Sequence, residues 1–292
     1  MIRINHEKCR RCLLCAEVCP NEIFIKSESG LIETKPERVH LCIECGQCMA
    51  VCPTSSVNAG TLSYEKDFFE MSNSENSDKT FDELVQSRRS IRNFKNQPVP
   101  KEILDKIVEA ISFAPPSFPP HRTELIVIND TNFIRSTLPR MVENYKALLK
   151  MMKNPIMNRI VKKKIGPPKF LTLKNHLIPL LKVKMPEMEK GNEDAITRGA
   201  PALILFLTEK NKEDNSQNIS IAATYGMLKI HSLGLGGAIM DIIPPAINRD
   251  TELRKLYCIP DTHEIVTSLT VGYPRIKYRL GIRRDLKSVK YI

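Results

Sequence analysis

No stretch of the 292-residue sequence reaches the roughly 18 uninterrupted apolar residues that a membrane span needs. Met1 to His6 also lacks the apolar core that marks a secretion signal, so a cytoplasmic location is the expectation. Tryptophan is missing altogether. So is a G-x-G-x-x-G turn after a strand. Gly234-Leu235-Gly236-Gly237 follows a helical pattern and precedes a strand-like one, the reverse of the order a dinucleotide-binding turn requires, which argues against a separate nicotinamide-binding domain. With 42% hydrophobic and 26% charged residues, the composition is globular and excludes disordered and fibrous architectures.

What the chain does have is cysteine, very unevenly placed. Eight of its nine cysteines lie in the first 52 residues, as Cys9, Cys12, Cys15 and Cys19 followed by Pro20, then Cys42, Cys45, Cys48 and Cys52 followed by Pro53. Without a secretion signal, thiols at this density point to metal or redox chemistry and away from disulfides. Each half reads C-x2-C-x2-C-x3-C-P. In this run three closely spaced thiolates hold one iron-sulfur cubane and the fourth reaches across to the other. That rule assigns Cys9, Cys12, Cys15 and Cys52 to one [4Fe-4S] cluster, and Cys42, Cys45, Cys48 and Cys19 to a second. A pair of structural zinc sites is the competing assignment, but zinc ribbons pair cysteines two at a time and need no third one three residues on. Cys258 stands alone and reads as a small packed side chain.

Charge is as uneven as cysteine. The net +11 hides a neutral block over residues 1–62, with seven basic and seven acidic side chains, and a segment over 140–190 with thirteen basic and three acidic ones. Between them, residues 63–79 are acidic and rich in Ser and Asn, which reads as a linker. Domain boundaries are therefore expected at 1–62, 63–79 and 80–292, the last carrying the basic insert 140–190. In the insert, Lys162-Lys163-Lys164 alternates with apolar residues at helical spacing. It reads first as a helical cap with solvated lysines, then as a docking face for an acidic electron carrier, and third as a surface for anionic lipid. Nucleic-acid binding ranks below these, because aromatic interleaving and a recognised binding fold are missing.

Beyond residue 80 helical and strand patterns alternate. Thr80-Phe81-Asp82-Glu83 fits a capping box. Ile103 to Ile111 and Ile219 to Leu233 are helical, and Leu125–Ile128, Ala202–Leu207, Gly237–Ile243 and Ile265–Val271 are strand-like. The first helical pattern is followed by Ser87-Arg88-Arg89-Ser90-Ile91-Arg92, three guanidinium groups and a hydroxyl suited to phosphate-type acceptors.

With Arg198-Gly199-Ala200-Pro201, His231-Ser232-Leu233-Gly234-Leu235-Gly236-Gly237 and Val271-Gly272-Tyr273-Pro274 in the same order, residues 80–292 resemble the nitroreductase family of flavin enzymes. Residues 2–60 resemble bacterial-type two-cluster ferredoxins, so the whole chain looks like a ferredoxin-nitroreductase fusion. The resemblance implies an α+β fold: a small two-cluster domain, then a central mixed sheet flanked by helices in an intertwined homodimer that holds FMN. It places Arg88, Arg89, Ser90 and Arg92 at the flavin phosphate, ribityl chain and pyrimidine edge. Ile239, Met240 and Asp241 fall near the ring, and Arg283 pairs with the phosphate, with Arg279 or Arg284 as alternates. The sequence departs from the family where an Asn and then Gln-Pro-Trp are usual, since Pro119 and His121-Arg122-Thr123 stand there. The activity implied is reduction of a small organic acceptor, a nitro compound, quinone or activated alkene, with electrons from a ferredoxin-like donor through the clusters. A relay to a partner protein and an NAD(P)H-dependent flavin reductase are the alternatives.

Overall fold

Backbone strain shows the internal repeat of the N-terminal unit most directly. The computed structural model describes residues 2–70, 77–116, 123–210, 215–283 and 286–292. In the first unit, Arg11, Leu13 and Glu22 take left-handed φ angles of 56°, 66° and 48°, and Glu44, Gly46 and Ser55 take 51°, 75° and 49°. The two sets sit at matching places in the two cysteine motifs. Non-glycine residues rarely adopt this conformation. Its recurrence at equivalent positions means that both motifs wrap the chain around their thiols in the same way.

Around those loops the elements are short. Strand β1 (Arg3–Ile4) pairs antiparallel with β4 (Val57–Asn58), and β2 (Phe24–Lys26) with β3 (Ile32–Thr34). Helices α1 (Leu14–Glu17) and α2 (Gln47–Ala50) follow the two loops, and a 3-10 turn spans Pro36–Leu41. Ile23, Phe24, Ile32, Met49, Val57 and Ala59 form the apolar centre, with Cys15 and Cys48 buried beside them. The segment read as a linker is not bare, since it carries α3 (Tyr64–Asp67) and the start of α4 (Ser77–Ser87). Leu62, Tyr64 and Phe68 pack on the first unit, and the Tyr64 and Phe68 rings lie 5.2 Å apart.

Among its described residues, the second unit, Asp78–Pro115 and Arg122–Ile292, is built on four strands: β5 (Glu124–Ile128), β6 (Ala202–Glu209), β7 (Gly236–Ile239) and β8 (His263–Gly272). They pair antiparallel in the order β5-β6-β8-β7, and a parallel bridge, Ser90 to Gly237, adds the segment after α4. Strand β6 is apolar on both sides because the sheet is covered on both sides. Leu203, Leu205 and Leu207 join one core, and Ala202, Ile204 and Phe206 the other. The second core is closed by α5 (Lys101–Ser112) and α10 (Ser216–Ser232). Gly226 lets α10 come in close, since a Cβ there would lie 3.0 Å from Leu269 and 3.1 Å from Ile111.

The first core is closed by α6 (Thr131–Met151), α9 (Ile178–Glu189), α11 (Ile243–Asn248) and α12 (Thr251–Leu256). Between α6 and α9 run α7 (Pro155–Ile165), α8 (Pro167–Thr172) and a π-helical turn, Leu173–Leu177. The basic insert is thus helical. It is anchored by Met141, Tyr145, Leu148, Leu181, Met185 and Met188, while Ile156 and Val183 are 70% and 74% exposed. The apolar run Gly237–Ile243 does not form one strand. It stops at Ile239, and Ile243 opens α11, because Pro244 and Pro245 have no amide to give a ladder but fit the first turn of a helix.

Candidate functional site

Two pockets in the first unit are lined by cysteine. One, with about 330 Å³ of space including its mouth, is lined by Cys9, Cys12, Cys15 and Cys52 together with Arg10, Leu13 and Ser56. The other, about 360 Å³, is lined by Cys42, Cys45, Cys48 and Cys19 with Glu44 and Gln47. These are the crossed quartets that the spacing implies.

The thiol spacing also bears on zinc. Among the described residues, Glu124, Glu209 and His263 form the set of three ligand-type side chains with donor atoms within 4.8 Å of one another; no three cysteine sulfurs come that close. A tetrahedral zinc at about 2.3 Å from each thiolate would hold the sulfurs about 3.8 Å apart. A cubane spreads them over four separate corners, and the four thiols that line each pocket are the number it takes.

The thiols are not equivalent. Burial pushes Cys48 up to about 12, with the Cys45 and Cys42 thiolates adding to it. Burial also opposes ionisation of Cys52, but the hydroxyl and amide of Ser56 outweigh it and bring that thiol down to about 7. The Ser56 Oγ and N lie 3.2 and 3.3 Å from Cys52 Sγ. Loading metal therefore displaces a proton from Cys52 more readily than from Cys48. Burial, together with the thiolates of Cys52 and Cys48, also pushes Tyr64 up to about 12, and its hydroxyl donates to the Met49 carbonyl. Tyr64 was not among the residues singled out in the sequence.

In the second unit, the Arg88–Arg92 segment is stitched between strands. Ile91 N donates to Gly237 O at 3.0 Å, Lys95 N to Tyr273 O at 2.8 Å, and Arg275 N to Asn93 O at 3.0 Å. Two glycines permit this seating. A Cβ on Gly236 would lie 2.6 Å from Ile91 Cβ, and one on Gly272 2.8 Å from Phe94 Cδ1 just beyond the segment. Arg89 donates to the Arg88 and Leu280 carbonyls, yet its Nε is buried with no partner, an unmet cationic donor among the described residues. Arg283 lines a separate concavity with Val85, Gln86, Gly281 and Ile282, and a Cβ on Gly281 would lie 3.1 Å from an Arg89 nitrogen, so the C-terminal arginine is brought to the same neighbourhood.

His231 belongs there too. Its Nε2 lies 2.7 Å from Ser87 Oγ, and burial, then the charges of Arg88 and Arg89, push it below the usual imidazole value. Ser87 and His231 are 144 residues apart, and His231 appeared in the sequence only as part of a turn motif.

Residues 85–273 match the model of the nitroreductase family. The chain belongs to the nitroreductase family. Residues 8–57 match the model of a 4Fe-4S dicluster domain, so this nitroreductase-family chain is a fusion with a two-cluster ferredoxin module at its N-terminal end. It is 23% identical over 196 residues to a Methanothermobacter thermautotrophicus protein whose name gives it as a candidate NADH dehydrogenase/NAD(P)H nitroreductase; the match covers 66% of this chain and 76% of that one. Among solved structures, its fold is similar to a nitroreductase with bound FMN from Bacteroides fragilis, at TM-score 0.51, 16% identity and coverage of 72% of this chain and 96% of the other. It is also similar to a nitroreductase with bound FMN from Desulfitobacterium hafniense, at TM-score 0.52, 19% identity and coverage of 76% and 100%.

Set against the nitroreductase fold, the other expected flavin residues fall as follows. Ser90 bridges to Gly237 and Arg92 is exposed. Ile239 ends β7 at 36% exposure, Met240 is packed into the first core, and the Asp241 carboxylate accepts from Thr267 Oγ1 at 2.9 Å. Arg279 is exposed. Pro119, His121 and Arg122, where the sequence departs from the family pattern, and the alternate Arg284 lie outside the described residues.

Proposed function

We propose that this protein is an FMN-dependent oxidoreductase that takes single electrons from a low-potential ferredoxin-like donor through two [4Fe-4S] clusters and reduces a small organic acceptor, such as a nitro compound, quinone or activated alkene. The observation that carries the reading is the pair of cysteine-lined pockets, each assembled from three thiols of one motif and one of the other, in a chain whose remainder is of the nitroreductase family. Iron-sulfur cubanes pass one electron at a time at low potential, and a bound flavin supplies the two-electron chemistry that an organic acceptor requires.

The residues that would hold FMN are Arg88, Arg89, Ser90, Arg92 and Arg283 on its phosphate and polar edges, with Ile239, Met240 and Asp241 toward the ring. Support comes from the unpartnered Arg89 Nε and the close seating of Ile91 on Gly236. Arginine forks at a phosphate give charge-assisted hydrogen bonds about twice as strong as neutral ones. The domain division proposed is 1–62 for the clusters, 63–79 as connector and 80–292 for the flavin.

A homodimer is part of the proposal. Leu280, Ile282, Leu286 and Tyr291 expose between 61% and 96% of their surface in a single chain, more apolar area than a solvated tail has reason to carry. The name of the Methanothermobacter relative favours a second reading, direct reduction by NADH or NADPH. Single-turnover reduction separates the two. The proposal expects reduced ferredoxin to bleach clusters and flavin together; bleaching of flavin by NAD(P)H alone, with ferredoxin inert, would replace it.

A further inference from the structure

The two halves of the ferredoxin module are near repeats, and two of the places where they differ bear on the sulfurs in the same direction. The cysteine that crosses over is followed by Pro20-Asn21-Glu22-Ile23 in the first motif and by Pro53-Thr54-Ser55-Ser56 in the second. In both, the amide four residues on points at the sulfur: Ile23 N lies 3.5 Å from Cys19 Sγ, and Ser56 N 3.3 Å from Cys52 Sγ. Only the second motif adds hydroxyls. Ser56 Oγ stands 3.2 Å from Cys52 Sγ and Thr54 Oγ1 stands 3.8 Å away, whereas the side chain at the matching position of the first motif, Ile23, is apolar. Ser56 is 1% exposed, so its hydroxyl is held at that sulfur away from competing water.

A second, independent difference concerns charge. The pocket of Cys9, Cys12, Cys15 and Cys52 is lined by Arg10, and that of Cys42, Cys45, Cys48 and Cys19 by Glu44. Glu44 is fixed in place: its carboxylate accepts from Thr61 N at 3.4 Å and Thr61 Oγ1 at 3.1 Å. Gly60, at φ +65°, leaves it room, since a Cβ there would fall 2.2 Å from Glu44 Cδ. Cluster potentials are set by net charge, hydrogen bonds to the sulfurs and solvent exposure. Reduction adds negative charge to the cluster and its thiolates. Donors and cations near the sulfurs favour that state, and a fixed carboxylate opposes it.

We propose that Ser56 and Arg10 on one side, and Glu44 on the other, hold the two clusters at different reduction potentials. The first electron entering the module then settles on the cluster held by Cys9, Cys12, Cys15 and Cys52. The step is a one-electron reduction by a low-potential donor of the ferredoxin class, in which no bond forms or breaks and no proton moves. It rests on the cluster content of the proposed function, and it adds an order of filling that pseudo-symmetry alone would not give. Ser56, Arg10 and Glu44 are positioning residues, acting on the clusters through the thiolates and through space.

The test is an anaerobic potentiometric titration of the holo-protein followed by low-temperature EPR, with iron and sulfide measured on every sample. The expectation is two resolved one-electron cluster steps. Ser56→Ala lowers the upper step by about tenfold in its equilibrium, 59 mV for one electron, and leaves the lower step in place. Arg10→Gln, a surface change, shifts the same step in the same direction, and Glu44→Gln raises the lower step only. Two coincident steps in the wild type overturn the inference, as does a Ser56→Ala shift in the lower step or in neither with full iron content. Should Ser56→Ala lose iron, Arg10→Gln and Glu44→Gln decide the matter alone. Absence of iron and sulfide from the wild type would overturn the cluster reading as well, which separates the two failures.

Discussion

Replacing Gly236 by alanine places a methyl group 2.6 Å from Ile91 Cβ and Cγ1 and 2.7 Å from Cγ2. Of these atoms, Cβ cannot swing aside without moving the Ile91 backbone. Ordinary carbon contacts need about 3.5 Å, so the Arg88–Arg92 segment must retreat by roughly 1 Å from β7. Overpacking of this kind costs about 1–3 kcal/mol, and stretching the Ile91 N to Gly237 O hydrogen bond, 3.0 Å in the native chain, adds about 0.5–1.5 kcal/mol. The expected destabilisation is about 1.5–4.5 kcal/mol. In a unit of this size that lowers Tm by roughly 3–18 °C. The shift carries Arg88, Arg89 and Ser90 with it, so FMN affinity should fall at least about tenfold, the equivalent of one charge-assisted hydrogen bond. Differential scanning fluorimetry and equilibrium dialysis with FMN read the two effects, and iron per chain should stay at the wild-type value. A Gly236→Ala protein with unchanged Tm and unchanged FMN retention would refute the claim that this glycine seats the arginine segment.

Three further expectations follow from other parts of the chain. Cys52→Ala combined with Cys9→Ala should lose four irons per chain, whereas Cys52→Ala combined with Cys42→Ala should lose all of them; iron analysis showing the opposite pattern would mean that each motif ligates its own cluster. Asp250 caps α12 and is held near pH 2, burial being outweighed by hydrogen bonds from Arg140, Leu253 N and Asn144. Its native value lies below the unfolded one, so its stabilisation is complete above about pH 4 and is lost as pH falls through about 2. Asp250→Asn should flatten urea stability over that window in the tyrosine near-UV signal and cost about 2 kcal/mol at neutral pH; an unchanged acid profile would contradict it. Charge reversal of Lys162, Lys163 and Lys164 should slow reduction by an acidic ferredoxin several-fold at low salt and not at about 0.5 M salt. Stopped-flow rates that are equal at both salts would remove the insert as a docking face.

The two cysteine motifs were legible because their chemistry is carried by spacing: intervals of three and four fix the loop, and a 4Fe-4S dicluster model matches over residues 8–57. The buried strand was legible in β6, whose continuous apolar run from Ala202 to Leu207 lies between the two cores. Where the reading failed, a local signal was overruled by a neighbour. Gly237–Ile243 looks like one strand until Pro244 and Pro245 impose a helix start. The 63–79 segment keeps its linker composition and its proposed place as connector, with Tyr64 and Phe68 packed on apolar partners in the first unit. Other features have no sequence signature, because they join distant positions: the Ser87–His231 pair beside Arg88 and Arg89, and the Arg140–Asp250 ion pair at 2.7 Å. The asymmetry between the two motifs was present in plain sight as Ile23 against Ser56, but it acquired meaning only when the hydroxyl was found at the sulfur.

On the proposed function, one chain carries two cubanes and a flavin, and electrons pass from the cubanes to the flavin. An anaerobic visible spectrum, with iron, acid-labile sulfide and FMN quantified on the same sample before and after addition of reduced ferredoxin, tests it most directly. The account predicts about eight irons, eight sulfides and one FMN per chain, with cluster and flavin absorbance bleaching together. Zinc without sulfide, or clusters that bleach while a bound flavin stays oxidised, would contradict it.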